Sequence, residues 1–205
     1  MQFRVPLSLV LAGTVAACVE AREETADLID MNAAAWLDED RFEVDVPITV
    51  EIQGDRRAEN IEFTLEATVS ATSAAVAQRE ADRVAVTLNR TEETITFGLP
   101  VPSSTVADIA GRLVFTIPAE HEVVALSRQS GVQVSGIEAP ITVAAASDTL
   151  IEDAQFDTNL NIAGGTAVVD TRASAGTQTL IETQGALEQV SLPTPVRADL
   201  FVRTT

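Results

Sequence analysis

Lysine and tyrosine are missing from this 205-residue chain, and cysteine, histidine and tryptophan occur once each. Each shortage removes a class of explanation. One cysteine excludes a stabilising disulfide framework, so the fold must rest on burial. One histidine and one cysteine are too few for a zinc site, which draws on several such ligands. Aromatic residues make up only 4% of the chain, which leaves little material for the ring platforms of sugar-cleaving enzymes and gives the core to Val, Ile, Leu and Ala. Thirteen arginines face 31 acidic residues, for a net charge of −18. No basic stripe is present, and nucleic-acid binding depends on basic side chains displacing phosphate counterions, so no nucleic-acid partner is expected.

Signatures of catalysis are also scarce. There is no Gly-x-Ser-x-Gly elbow and no Walker-type glycine loop. His121 stands between Glu120 and Glu122, carboxylates that favour the protonated imidazole and make it a poor base, so it reads as an exposed turn histidine. Carboxylate pairs for glycoside hydrolysis meet only in space and have no sequence signature. The chain therefore reads as a non-enzyme that needs no cofactor.

The N-terminus is more informative. Arg4 begins a short positive region, Val5 to Ala17 are uncharged and largely apolar, and Cys18 follows. An apolar run of about thirteen residues is too short for a bilayer core, which needs roughly twenty, and suits a signal peptide. Val15-Ala16-Ala17-Cys18 resembles the lipobox of bacterial lipoproteins. That resemblance implies cleavage between Ala17 and Cys18 and a lipid on the Cys18 sulfur. Two or more acyl chains make a stable anchor where one is marginal. It also explains a lone exported cysteine, otherwise an oddity. Val19 after the cysteine, in place of the aspartate associated with inner-membrane retention, implies the outer membrane, with the body facing the periplasm. If Cys18 is unmodified, the alternative is a soluble periplasmic binding module. Removing residues 1 to 17 takes away Arg4 and leaves the rest one unit more negative.

Residues 18–40 read as a lipidated tether followed by a short helix capped by Thr25, with Ile29, Ala33, Trp36 and Leu37 at helical spacing. From residue 41 the period becomes two. Phe42, Val44, Val46, Ile48, Val50 and Ile52 alternate with polar residues, as do Ile61, Phe63, Leu65, Ala67, Val69 and Ala71. These runs predict a long antiparallel hairpin across "QGDRRAEN", with Arg56-Arg57 at its solvated tip and an edge or bulge at Pro47. Further strands are expected at 84–88, 94–99, 112–117, 123–126, 132–134 and 141–145, around 156–162, and in "LFVRT" at the end. Gly164-Gly165 predicts a hairpin turn. "SAAVAQREADR" fits either helix or strand. "TLIE" at 149–152 and 179–182 is too short a match to define a repeat. The sum is an all-β, antiparallel sandwich of immunoglobulin-like size and pattern, lacking the cysteine–tryptophan framework, with extra C-terminal strands. It forms one domain over 41–205, with a sub-boundary conceivable near 146.

One stretch suggests a metal. Asp157, Asn159 and Asn161 match the first ligands of an EF-hand loop, but Ile162 replaces the turn glycine and Val168 the closing glutamate. The reading that follows is a non-catalytic, lipid-anchored envelope protein with a structural or protein-binding role. Its partners would be the membrane, through the anchor, and an envelope protein. A surface-exposed calcium-dependent adhesion or matrix protein is the alternative.

Overall fold

The computed structural model describes residues 23–25, 41–84, 86–91, 93–99, 107–171, 178–183, 187–191 and 199–204. The elements, in order, are β1 (Glu23–Thr25), β2 (Arg41–Val46), β3 (Thr49–Asp55), β4 (Glu62–Ala71), α1 (Ala74–Ala81), β5 (Thr87–Arg90), β6 (Thr94–Gly98), β7 (Ala107–Pro118) and β8 (Glu122–Ser127). They continue with β9 (Val132–Ser135), β10 (Ile141–Ala145), β11 (Thr149–Ala154), β12 (Thr158–Ile162), β13 (Gly165–Thr171), β14 (Gln178–Thr183), β15 (Leu187–Ser191) and β16 (Asp199–Thr204). The all-β expectation holds, with α1 as the one helix among the described residues.

The strand pairing is not that of an antiparallel sandwich. Two eight-stranded sheets form, in the orders β1-β4-β7-β3-β9-β11-β13-β15 and β16-β14-β12-β10-β8-β2-β6-β5. From β8 onward, consecutive strands fall alternately in the two sheets, so the chain winds as a two-sided coil, a β-solenoid. Among the described residues, only β1/β4, β4/β7 and β5/β6 pair antiparallel. Alternation shows that one face of a strand is dry and the other wet. It does not distinguish an antiparallel sandwich from a coil whose parallel strands carry no covering helices.

Two expected hairpins are accordingly absent. The alternating run 42–52 breaks at Pro47-Ile48, where proline cannot donate to a ladder, and becomes β2 in one sheet and β3 in the other. The Ser127 hydroxyl donates to the Ile48 carbonyl at 2.9 Å and fixes this corner. β3 does not pair with β4, because β7 lies between them. Gly164-Gly165 likewise turns the chain from β12 in one sheet to β13 in the other. Residues Glu23–Thr25, expected in the tether and at a helix cap, instead pair with Thr68, Ala67 and Glu66 of β4. The rest of the expected helix lies outside the described residues. The ambiguous segment is helical, with the Ser73 side chain accepting from the Val76 N–H at the N-cap, and α1 packs on β4.

Stacking places like with like. One inner row runs through Phe97, Val44, Ala125, Val143, Leu160 and Ile181. The facing sheet supplies Phe115, Ile52, Val134, Ile151 and Val169. All are buried, and each large aliphatic side chain so buried stabilises the fold by about 1.5–3 kcal/mol. Near the N-terminal end, Phe42 and Phe97 of one sheet meet Phe63 and Phe115 of the other, with Phe115 4.9 Å from both Phe42 and Phe97 in edge-on geometry. Four of the chain's seven phenylalanines thus bridge the sheets at one level. Gly54 and Gly136, on adjacent coils, pass so closely that a Cβ on Gly54 would sit 2.3 Å from the Gly136 carbonyl oxygen. Gly136 itself takes φ +67°, which favours glycine.

Candidate functional site: the outer sheet faces

Because the inward positions are filled by the core, the outward positions carry whatever the protein presents. On the sheet containing β3, one outward row aligns Thr64, Val114, Glu51, Gln133, Leu150 and Val168. Beside it Thr116, Gln53, Ser135 and Glu152 align in the same way. Between these rows lies a shallow depression of about 110 Å³, lined by Glu51, Gln53, Gln133, Ser135 and Glu152 around Val114 and Leu150. A second, wider hollow of about 380 Å³ opens at Gly111, lined also by Thr49, Glu51, Glu66, Thr68 and Arg112. Gly111 (φ +151°) lets β7 approach β4 closely here, since a Cβ there would sit 2.1 Å from the Glu66 carbonyl oxygen.

The charges on these faces are largely engaged with one another. Arg112 Nε donates to Glu66 Oε2 at 2.6 Å, and its guanidinium reaches Glu51 at 3.5 Å. That hydrogen bond, and then the arginine's charge, holds the Glu66 carboxyl below its ordinary range, and Glu66 raises the Arg112 pKa in turn. On the other sheet, Arg41 bridges Glu122 at 3.1 Å and Glu43 at 3.6 Å. Arg128 grips Asp45 through Nε at 2.9 Å and a terminal nitrogen at 2.5 Å. Arg56 pairs with Glu138, whose hydrogen bond and charge raise the arginine pKa. Arg57 is exposed beside it, where the Asp55 side chain accepts from the Arg57 N–H in an Asx turn. These faces offer acceptors, amide donors and patches of aliphatic surface.

Of the residues singled out for metal binding, Asp157 makes two hydrogen bonds at a corner of the coil. Asp157 Oδ1 accepts from the Gln178 N–H at 2.9 Å, while the Asp157 carbonyl accepts from the Ile141 N–H at 3.0 Å. It therefore ties its own coil to both neighbours. Asp148 does the same, accepting from the Thr166 N–H at 2.7 Å through its side chain and from the Val132 N–H at 3.0 Å through its carbonyl. In each case a buried threonine follows, Thr149 or Thr158, whose hydroxyl donates to the carbonyl two residues back. A recurring Asp-Thr at a strand start was the sequence signal for these corners. Asn159 and Asn161 follow along β12, and successive same-face positions on a strand stand roughly 6.5 Å apart. The strand therefore does not gather Asp157, Asn159 and Asn161 around one point, and among the described residues no three acidic, histidine or cysteine side chains form a metal-binding group.

His121 is not exposed as expected. It is buried in the turn between β7 and β8. A buried charge went unanticipated: Glu80 of α1 is buried, held by Arg79 at 3.0 Å and Arg83 at 3.2 Å. Ala17 and Cys18 lie outside the described residues, as does the acidic run Asp38, Glu39, Asp40. Among the described residues, no helix is long and apolar enough to cross a membrane.

No family model matches the chain, and no curated protein matches it in sequence. Among solved structures it is similar to a "putative cell adhesion protein" from Clostridium sporogenes, at 6% identity and a TM-score of 0.44, over 89% of this chain and 94% of that one. It is also similar to a "putative adhesin" from Parabacteroides distasonis, at 9% identity and 0.34, over 90% and 98%. A third, from Parabacteroides merdae, overlaps at 12% identity and 0.32, over 90% and 96%. Overlaps this loose assign no activity to the present chain.

Proposed function

We propose that this protein is a non-catalytic, lipid-anchored component of the bacterial envelope. Its coiled β body acts as a rigid binding or structural element on the periplasmic face of the outer membrane. The observation that supports this reading is the division of roles along most strands whose side chains are described. Inward side chains are spent on the core, and outward ones build two broad polar faces whose arginines are already held by carboxylates. Such faces suit recognition by many modest contacts spread over a wide area, and the partner is an envelope protein.

The anchor rests on Val15-Ala16-Ala17-Cys18. Glu23, where β1 begins, is five residues beyond Cys18, and at most about 3.5 Å per residue the lipid would hold the body within roughly 17 Å of the membrane surface. Triton X-114 partitioning tests the anchor: the native chain enters the detergent phase and Cys18→Ser moves to the aqueous phase. Native chain found in the aqueous phase with an unmodified thiol overturns it. A photo-crosslinker at Gln133, on the exposed sheet face, tests the binding role in the native host. A discrete protein adduct is expected, and its absence from this face and from an equivalent probe at Thr142 on the other overturns it.

A further inference from the structure

We propose that the coil meets the bilayer edge-on, with one of its two rims of corners resting on the lipid headgroups and the opposite, acidic rim pointing away from the membrane. This rests on the lipid anchor at Cys18 proposed above, and adds which side of the body the anchor turns toward the lipid. The corners of the coil fall on two rims. The first holds residues 128–131, 146–148 and 163–164, where the Ala146 N–H donates to the Ser127 carbonyl and the Val132 N–H to the Asp148 carbonyl. The second holds residues 56–58, 119–121, 136–140 and 155–157, where the Glu138 N–H donates to the Ala119 carbonyl and the Ile141 N–H to the Asp157 carbonyl. β3 runs from the first rim at Thr49 to the second at Asp55, a distance of about 20 Å.

The tether leaves from the first rim. β1 runs antiparallel to β4 with Glu23 opposite Thr68, and Thr68 stands opposite Ala110 of β7. Pro118, eight residues further along β7, lies beside Asp55 at the second rim. Eight strand residues span about 26 Å, whereas the five residues from Cys18 to Glu23 reach at most roughly 17 Å. Laying the second rim on the membrane would lift Glu23 out of that reach. Charge is distributed to match. Besides the Arg41–Glu122 pair, the second rim sets Asp55, Glu59, Glu62, Glu120, Glu138 and Asp157 against two arginines, Arg56 and Arg57. On the anchor side, Arg128 holds Asp45, and Arg79 and Arg83 offset Glu80 and Asp82 around α1. Among the described residues that leaves Asp108 and Asp148, the latter already accepting from the Thr166 N–H. Anionic headgroups repel carboxylates within about a Debye length, roughly 8 Å at physiological salt. A chain of net charge −18 thus approaches lipid at least cost through its first rim. The tether holds it there, not an affinity of the rim itself.

The test uses the lipidated full chain in vesicles of phosphatidylethanolamine and phosphatidylglycerol. With the lipid on the chain's one cysteine, an introduced cysteine is the single thiol that takes an environment-sensitive fluorophore. Gln129→Cys marks the first rim, Glu120→Cys the second, and Gln133→Cys and Thr142→Cys the two sheet faces. A nitroxide carried on the lipid headgroup should quench the label at Gln129 about threefold or more beyond that at Glu120, the rims being about 20 Å apart, with both faces between them. Equal quenching at Gln129 and Glu120, or the strongest quenching on either face, overturns the proposal. Flotation with the vesicles separates this from failure of the anchor. Chains that float but quench evenly keep the anchor and lose the orientation; chains that stay behind lose both. Circular dichroism confirms folding, and Ala163→Cys and Phe156→Cys, exposed on the first and second rims, stand in for any variant that fails to fold.

Discussion

Replacing Phe115 by alanine should be among the most damaging single changes available to this protein. Phe115 is fully buried and meets Phe42 and Phe97 at 4.9 Å and Phe63 at 5.9 Å. Truncating a buried phenylalanine costs about 3–5 kcal/mol, the sum of lost transfer energy and the cavity left behind. Three ring contacts, each contributing about 0.5–1.5 kcal/mol beyond area, place this site near the upper end of that range. The expected loss is therefore about 4–5 kcal/mol, a large share of the 5–15 kcal/mol that holds a typical domain together. At a urea dependence of about 2 kcal/mol per molar, the unfolding midpoint should fall by roughly 2 M, followed by far-UV circular dichroism. Phe156, nearly half exposed at 47%, is the internal control, and Phe156→Ala should change stability by less than about 0.5 kcal/mol. A double-mutant cycle with Phe42→Leu and Phe115→Leu should show coupling of about 0.5–1.5 kcal/mol. A loss below about 1.5 kcal/mol for Phe115→Ala would mean that the two sheets are not joined through these rings, and the reasoning would fail.

Further outcomes follow from the corners and the outer faces. Gly54→Ala should destabilise by about 2–3 kcal/mol in thermal unfolding, because the clash is with backbone, whereas Gly164→Ala, whose nearest neighbour lies 4.0 Å away, should be close to neutral. Asp148→Ala removes the acceptor for the Thr166 N–H, so hydrogen exchange at that amide should quicken roughly tenfold, matching a bond of about 1.4 kcal/mol; an unchanged rate would show that the contact is idle. Arg112 depresses the Glu66 carboxyl, so its stabilising effect is complete above the unfolded pKa and is lost as pH falls through the lower folded value. NMR titration should place Glu66 below an ordinary glutamate, and Arg112→Leu should return it upward; no movement would refute the pairing.

The period-two pattern located β6, β8, β9, β10 and β12 closely, because a strand with one buried face must alternate wherever it pairs. What it could not carry is partnership. Val123, Ile141, Thr158, Thr179 and Leu200 stack across five strands, yet the steps between them, near twenty residues, vary with corner length and so blur the period that repeat architectures display. The "TLIE" pair, too short to define a repeat, does not mark the coil period: Thr149 lies in β11 and Thr179 in β14, on opposite sheets. Likewise, a polar ladder on β12 resembled a calcium loop in sequence, because Asp157 is a corner residue and the asparagines beyond it are merely outward-facing. Glu80 became legible only once α1 brought Arg79 and Arg83 around it.

The insertion of β2 between β6 and β8, and of β3 between β7 and β9, has a bearing on how the molecule comes into being. β2 and β3 cannot find their partners until about fifty to eighty residues more of chain have been made, since loop closure must precede pairing. Beyond β9 the situation reverses, and every new strand meets a finished template the moment it appears. A polypeptide delivered from its amino end would wait through its first half and then grow, one turn after another, like thread taken up on a spool.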